Sequence, residues 1–187
     1  TNLLFFSDRG QVYKSNASEF ADTKASTLGD FVPVKLGMDE GESAKFMVAT
    51  ADFKGFLLFF FENGKVAKVP LSAYETKTNR RRLTGAYSDK SPLVKAMVMD
   101  EDAQVVVYTS DSRAAIVSTA LLLPKTTRNT QGVAVLSLKK KAVLQDAVLL
   151  AESGIVNESR YRTKTIPSSG AILKPEDLGQ QQERFEV

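Results

Sequence analysis

The chain contains no cysteine and no histidine, and each absence removes chemistry before any pattern is read. Without cysteine there are no disulfides, thiolate zinc sites or thiol nucleophiles, a composition suited to a reducing cytoplasm. Without histidine, the commonest general base near neutral pH and the commonest metal ligand are both missing. There is no Walker lysine motif, no glycine-rich dinucleotide turn and no paired metal-ligand spacing. No apolar run approaches the roughly 18 to 20 residues that span a bilayer, and no signal-like leader precedes the first apolar segment. Catalytic residues, metal, cofactor and membrane are therefore not expected. The opening Thr1-Asn2, with an apolar run beginning at Leu3, reads as a domain excised from a longer polypeptide.

What the chain does have is an internal repeat. LLFFSDRGQVYK at residues 3–14 returns as LLFFFENGKVAK at 57–68, a shift of 54 residues, and in diverged form as VVVYTSDSRAAI at 105–116, a further 48 residues on. In the first two copies a glycine, Gly10 or Gly64, stands where a tight hairpin needs a residue at positive φ, with β-branched and aromatic residues on both sides; in the third copy Ser112 takes that place. A polar loop follows each hairpin. After it come further apolar runs at 31–36, 93–97 and 133–138, then closing strands at 44–50, 97–99 and 142–149. Four strands repeated about every fifty residues predict small radial sheets, an all-β propeller-like array of four-stranded antiparallel blades. The expected units are residues 2–55, 56–104 and 105–152, each buried largely by its neighbours. Residues 153–187 carry no fourth hairpin. There, 161–167 is expected to complete or cap a blade, Pro175-Glu176-Asp177 to open a short helix, and 180–183 to form a polar terminus.

Charge is distributed unevenly within the net +3. Residues 1–55 carry −2, residues 56–104 carry +2, residues 105–152 carry +3, and the remainder is neutral. The surplus falls in the polar loops: Lys24 in the first unit, Lys77, Arg80, Arg81, Arg82 and Lys90 in the second, Lys125 and Arg128 in the third. Loops at equivalent positions of successive blades share a rim, so these cations are expected to form a curved track for a polyanion. Duplex DNA offers one negative charge per roughly 1.7 Å of axis and releases a counterion for each phosphate neutralised. The arginine fork suits phosphate, and Thr76, Thr78, Asn79, Thr126, Thr127 and Asn129 are available as neutral contacts. Lys139-Lys140-Lys141 reads equally as a solvated turn or a DNA contact, and Asp100-Glu101-Asp102 as an acidic turn. Phe5, Phe6, Phe59, Phe60, Phe61 and Tyr108 read as blade core. The competing class is a propeller-like scaffold for protein partners, which calls for an exposed apolar patch.

These repeats resemble the C-terminal domain of the A subunit of bacterial type IIA topoisomerases, DNA gyrase and topoisomerase IV. The likeness runs over roughly residues 2–152 and is strongest in the first copy; RYRTKTIP at 160–167 also looks like family C-terminal sequence. The resemblance implies a β-pinwheel that exchanges strands between neighbouring blades and binds and bends duplex DNA on its rim. It also implies partners in the ATPase B subunit of the holoenzyme and in the other domains of the same polypeptide, and a cytoplasmic, nucleoid-associated location. The family's catalytic tyrosine lies in another domain, so Tyr161 is not expected to be a nucleophile. Gyrase carries a QRRGGKG box in one blade loop. NRRRLTG at 79–85 occupies a comparable loop without the paired glycines or the following lysine, which favours a topoisomerase IV-like role over gyrase-type wrapping.

Overall fold

A computed structural model of the chain describes residues 1–16, 36–76 and 82–178. The first repeat supplies β1 (Asn2–Ser7), β2 (Val12–Asn16) and β3 (Ala44–Thr50). The second supplies β4 (Phe56–Phe61), β5 (Lys65–Pro70), β6 (Arg82–Leu83) and β7 (Leu93–Met99). The third supplies β8 (Gln104–Thr109), β9 (Arg113–Ser118), β10 (Val133–Ala134) and β11 (Leu144–Leu149), and the tail adds β12 (Ala171–Ile172). They form three four-stranded antiparallel sheets, ordered β3-β1-β2-β6, β10-β5-β4-β7 and β11-β8-β9-β12. The all-β propeller-like architecture is as the repeat implies.

The fourth strand of each blade belongs to the next stretch of chain. β6 of the second repeat pairs with β2 of the first, β10 of the third pairs with β5 of the second, and β12 of the tail pairs with β9 of the third. The hand-off is fastened at the hairpin turn, whose carbonyl accepts an N–H from the incoming segment. Ala86 donates to Gly10 at 2.7 Å, Val135 to Gly64 at 2.9 Å, and Leu173 to Ser112 at 2.8 Å. The turn residues have positive φ throughout, 70° at Gly10, 82° at Gly64 and 63° at Ser112, so the third hairpin keeps the turn without its glycine. Gly132, just before β10, lies against the β5 backbone so closely that an added Cβ would sit 2.1 Å from the Val66 carbonyl oxygen.

Central strands stack face to face, so both of their faces are buried and they read as continuous apolar runs rather than alternating ones. Leu4 and Phe6 pack with Leu57, Phe59 and Phe61 between blades one and two, while Leu58 and Phe60 turn to Val105 and Val107 between blades two and three. Phe6 stacks on Phe46 at 4.5 Å between centroids and meets the Tyr74 ring edge-on at 5.3 Å. On the far side of the third blade, Val106 and Ile116 are covered by Ile155 and Tyr161 of the tail. Each such large apolar side chain contributes about 1.5 to 3 kcal/mol by leaving water. The expected core aromatics are buried, with Tyr108 partly so.

Three expectations of detail change. Residues 93–99 are one strand, β7, paired along the whole of β4; the second repeat's third strand is instead the two-residue β6. Of residues 133–138 only Val133–Ala134 joins a sheet, and Ala171–Ile172 rather than 161–167 completes the last blade. The chain near 161–167 contributes isolated parallel bridges, Ile116 with Arg162 and Leu136 with Ser168. The short helix opens at Pro175 as a 3-10 turn, Pro175–Asp177. The segment 31–35 lies outside the described residues.

Candidate nucleic-acid interface

Strand exchange lays the basic segments along the outer edges of the blades. On the first blade, Lys14 Nζ reaches Thr76 Oγ1 at 2.7 Å, Arg82 pairs with Tyr13 in the ladder, and the Tyr87 hydroxyl donates to the Ser7 carbonyl at 2.6 Å. Leu83 is buried beside Arg82 and anchors it, so Arg82 projects from an edge strand rather than from a loop. Its guanidinium lies 3.5 Å from Asp39. Tyr13 first and Asp39 next hold that guanidinium above its already high ordinary pKa. Tyr13 itself is pushed up to about 12 by burial and by Glu42.

On the second blade the equivalent segment comes from the third repeat. The Lys125 N–H donates to the Lys68 carbonyl at 2.8 Å, which fixes the backbone while the Lys125 side chain is exposed. Arg128 is half-buried. Its Nη1 donates to the Ala73 carbonyl at 3.0 Å, and its Nε is enclosed without a hydrogen-bond partner among the described residues. The Tyr74 hydroxyl beside it donates to the Ala86 carbonyl at 2.7 Å, and burial raises that tyrosine's pKa strongly despite the nearby Arg128 charge. Arg128 thus spends part of its donor set on packing the exchanged segment. Lys90 is exposed in the turn before β7, its N–H held by Ser88 Oγ at 3.2 Å. Lys24, Lys77, Arg80 and Arg81 lie outside the described residues.

The third blade carries cations that the repeat pattern did not single out, because they belong to the tail. Tyr161 accepts an N–H from Ile116 at 2.8 Å and the Thr163 N–H returns to Ile116 at 2.9 Å, so Arg162 and Lys164 run along the outer edge of β9. Arg162 bonds Gln104 at 2.7 Å and Glu158 at 2.8 Å; Lys164 is exposed. Asp177 fastens this segment, accepting from Asn157 at 2.6 Å, Arg160 at 2.6 Å and Tyr161 at 2.5 Å. These bonds, the Tyr161 hydroxyl foremost, hold its carboxyl below the usual range. Tyr161, fully engaged and buried, has a structural part. The signal for the tail was RYRTK itself, a basic run at residues 160–164 that follows the third hairpin.

Successive blades therefore present cations on equivalent edges: Arg82, then Lys125, with Arg128 turned inward beside it, then Arg162 and Lys164. A cleft of about 620 Å³ lies between the third blade and the tail, lined among others by Tyr108, Arg113, Asp146 and Leu173. Among the described residues no cluster of acidic side chains is arranged to hold a metal ion, and no helix is long and apolar enough to cross a membrane. Asp102, in the acidic turn, is taken by Lys68 at 2.7 Å.

The family model described as DNA gyrase C-terminal domain, beta-propeller, matches residues 1–29 and 116–150. Among curated proteins, the chain is 28% identical over 148 residues to a chloroplastic/mitochondrial gyrase A protein of Arabidopsis thaliana, covering 75% of this chain and 15% of that protein. It is 23% identical over 154 residues to the gyrase A protein of Helicobacter pylori, covering 81% of this chain and 19% of that one. The chain thus spans less than a fifth of the length of these relatives. In fold it is similar to the C-terminal domain of DNA topoisomerase IV, with a TM-score of 0.73 at 19% identity over 94% of this chain and 60% of the other. A gyrase A C-terminal domain gives 0.62 at 19% identity, over 95% and 62%, and the E. coli ParC C-terminal domain 0.63 at 13%, over 93% and 72%. By sequence the chain is similar to gyrase A proteins, and by fold to the C-terminal domains of DNA gyrase A and topoisomerase IV.

Proposed function

We propose that this chain is a non-catalytic domain of a topoisomerase A subunit that binds duplex DNA on the outer edges of its blades and bends it to assist strand passage. The observation that carries the reading is the recurrence of basic segments on equivalent edges, created by the same strand exchange in each blade. Phosphate is the natural ligand of such an edge: the contacts are electrostatic, indifferent to base sequence and additive along a track. Cleavage and ATP hydrolysis belong to other parts of the enzyme, and the partners are the ATPase B subunit together with the remaining domains of the same polypeptide. The protein-scaffold alternative calls for an apolar patch. Here Met47, Val98, Val156 and Ile172 stand out on separate elements, with Leu121 and Leu123 in one loop.

A topoisomerase IV-like role is favoured over gyrase-type wrapping. NRRRLTG lacks the paired glycines of the gyrase box, and its Arg82-Leu83 is committed to the β2 edge. Two measurements test the proposal. Binding to a duplex of about 40 base pairs across a salt titration should weaken steeply with salt, with a shallower slope for an Arg80→Ala, Arg81→Ala, Lys125→Ala variant. No binding at low salt overturns it. Ligation of nicked circular DNA in the presence of the chain should leave little net linking change; a large one-handed change assigns the gyrase role instead.

A further inference from the structure

The closing strands of the first and third blades are preceded by the same turn, where the second blade has a bend. Ala44, Leu93 and Leu144 pair with Ser7, Phe61 and Thr109, so residues 39–41, 88–90 and 139–141 are structural equivalents on the hairpin rim. The first and third agree in backbone. Glu42 donates to the Asp39 carbonyl at 3.0 Å and Ala142 to the Lys139 carbonyl at 2.9 Å, while φ is 80° at Gly41 and 67° at Lys141. The strand behind each turn is tied to its hairpin the same way, Asp8 to Ser43 at 3.0 Å, Glu62 to Pro92 at 3.0 Å and Ser110 to Val143 at 2.9 Å.

Between the first and third blades the charge reverses on that shared backbone. The turn reads Asp39-Glu40-Gly41 in the first blade, Ser88-Asp89-Lys90 in the second and Lys139-Lys140-Lys141 in the third. All three lysines are exposed, and none is paired with a carboxylate of the described residues, whereas Arg82, Arg113, Arg160 and Arg162 each are. The acid of the adjacent hairpin, Asp111, is already held by Arg113 at 3.5 Å and by the Thr109 hydroxyl. Lys141 also stands where the first blade has glycine, in a backbone region that disfavours a side chain. A solvated turn gains nothing from three adjacent like charges, which repel one another; a phosphate ligand removes that repulsion.

We infer that Lys139-Lys140-Lys141 is a phosphate-contacting site for duplex DNA on the hairpin rim of the third blade, so that DNA engages the domain with a polarity and is turned away from the acidic rim of the first blade. This rests on the DNA-binding reading above. The absence of native cysteine makes the test direct, since Lys140→Cys and Glu40→Cys each create a unique attachment point for a photo-crosslinker. With the 187-residue chain and a 40-base-pair duplex at low salt, crosslinking from position 140 is expected to exceed that from position 40 by about tenfold. In parallel, a Lys139→Gln, Lys140→Gln, Lys141→Gly variant should lose about 2 to 3 from the slope of log affinity against log salt. Its melting temperature should be no lower than that of the parent, because glycine suits position 141. If the parent binds with an unchanged slope in the variant and equal crosslinking from both positions, the rim site is overturned while the edge-binding reading survives. If the parent binds no duplex, both fall.

Discussion

Replacing Asp102 by asparagine probes the joint between the second and third blades. Lys68, on β5, has a side chain only 6% exposed, yet its Nζ lies 2.7 Å from Asp102 Oδ1, 3.2 Å from the Thr119 carbonyl and 4.3 Å from the centroid of the Phe56 ring. Asp102 sits on the link from β7 to β8 and also accepts from Thr119 Oγ1 at 2.7 Å. Removing one partner of a fully buried pair costs about 3 to 5 kcal/mol, because the other charge is left uncompensated. An exposed pair is worth about 0.2 to 1 kcal/mol. Asp102 is 44% exposed, so water screens it and the expected loss for Asp102→Asn is intermediate, about 2 kcal/mol. For a chain of this size that lowers the melting midpoint by about 4 to 8 °C. Lys68→Met in the same background removes the stranded charge and should return stability to within about 1 kcal/mol of the parent. The assay is urea unfolding of the four members of the cycle. Additivity of the two single changes to within about 0.5 kcal/mol would refute the latch. Acid gives a second check. The Lys68 and Thr119 hydrogen bonds hold the Asp102 pKa below its ordinary value. The contribution is therefore complete above the unfolded-chain pKa and disappears as pH falls through the lower folded value, where parent and Asp102→Asn should converge.

Other consequences are as direct. Ser112→Gly relieves a φ of 63° and should stabilise the chain by about 1 kcal/mol in urea unfolding; a loss would show that Ser112 has a contact of its own. Gly132→Ala places a Cβ 2.1 Å from the Val66 oxygen at φ 77° and should cost more than about 2 kcal/mol, with amide exchange accelerated along the outer edge of β5; normal protection there would contradict the close approach. Asp177→Asn should free the tail, read as faster exchange of the Ile116 N–H that donates to Tyr161. The Asp177 pKa is likewise depressed, so in the parent the same loosening should appear only as pH falls through that lowered value, and not on raising it.

The strands that carry the core were legible because their own residues specify them. Leu3 to Phe6 and Leu57 to Phe61 are too apolar to face water on either side, and the glycine turn fixes where they reverse. The closing strand at 44–50 was legible for a different reason, an alternation in which Val48 and Thr50 are buried while Met47 and Ala49 face out. The exchanged strands were not. Arg82–Leu83, Val133–Ala134 and Ala171–Ile172 are two residues long and mixed in polarity, and what makes them strands is the open edge of the preceding blade. That also explains the mixed legibility of the interface. Basic residues can be counted in a sequence, but whether one is presented or consumed depends on its neighbours: Lys125 is presented, while Arg128 is turned inward to Ala73. The cations of the tail were overlooked because repeat logic ends where the repeat does.

Strand exchange puts the unit of inheritance and the unit of folding out of phase. A gene duplication copies a repeat, but a blade is three strands of one repeat closed by a strand of the next. Adding or deleting a whole repeat at an internal boundary therefore leaves the outer edge of every hairpin paired, since whatever follows inherits the duty of closing what came before. Blade number is free to drift in evolution, because the outer edge of each hairpin is closed by whichever segment follows it, as Ala171–Ile172 with its Asp177 clasp closes the third.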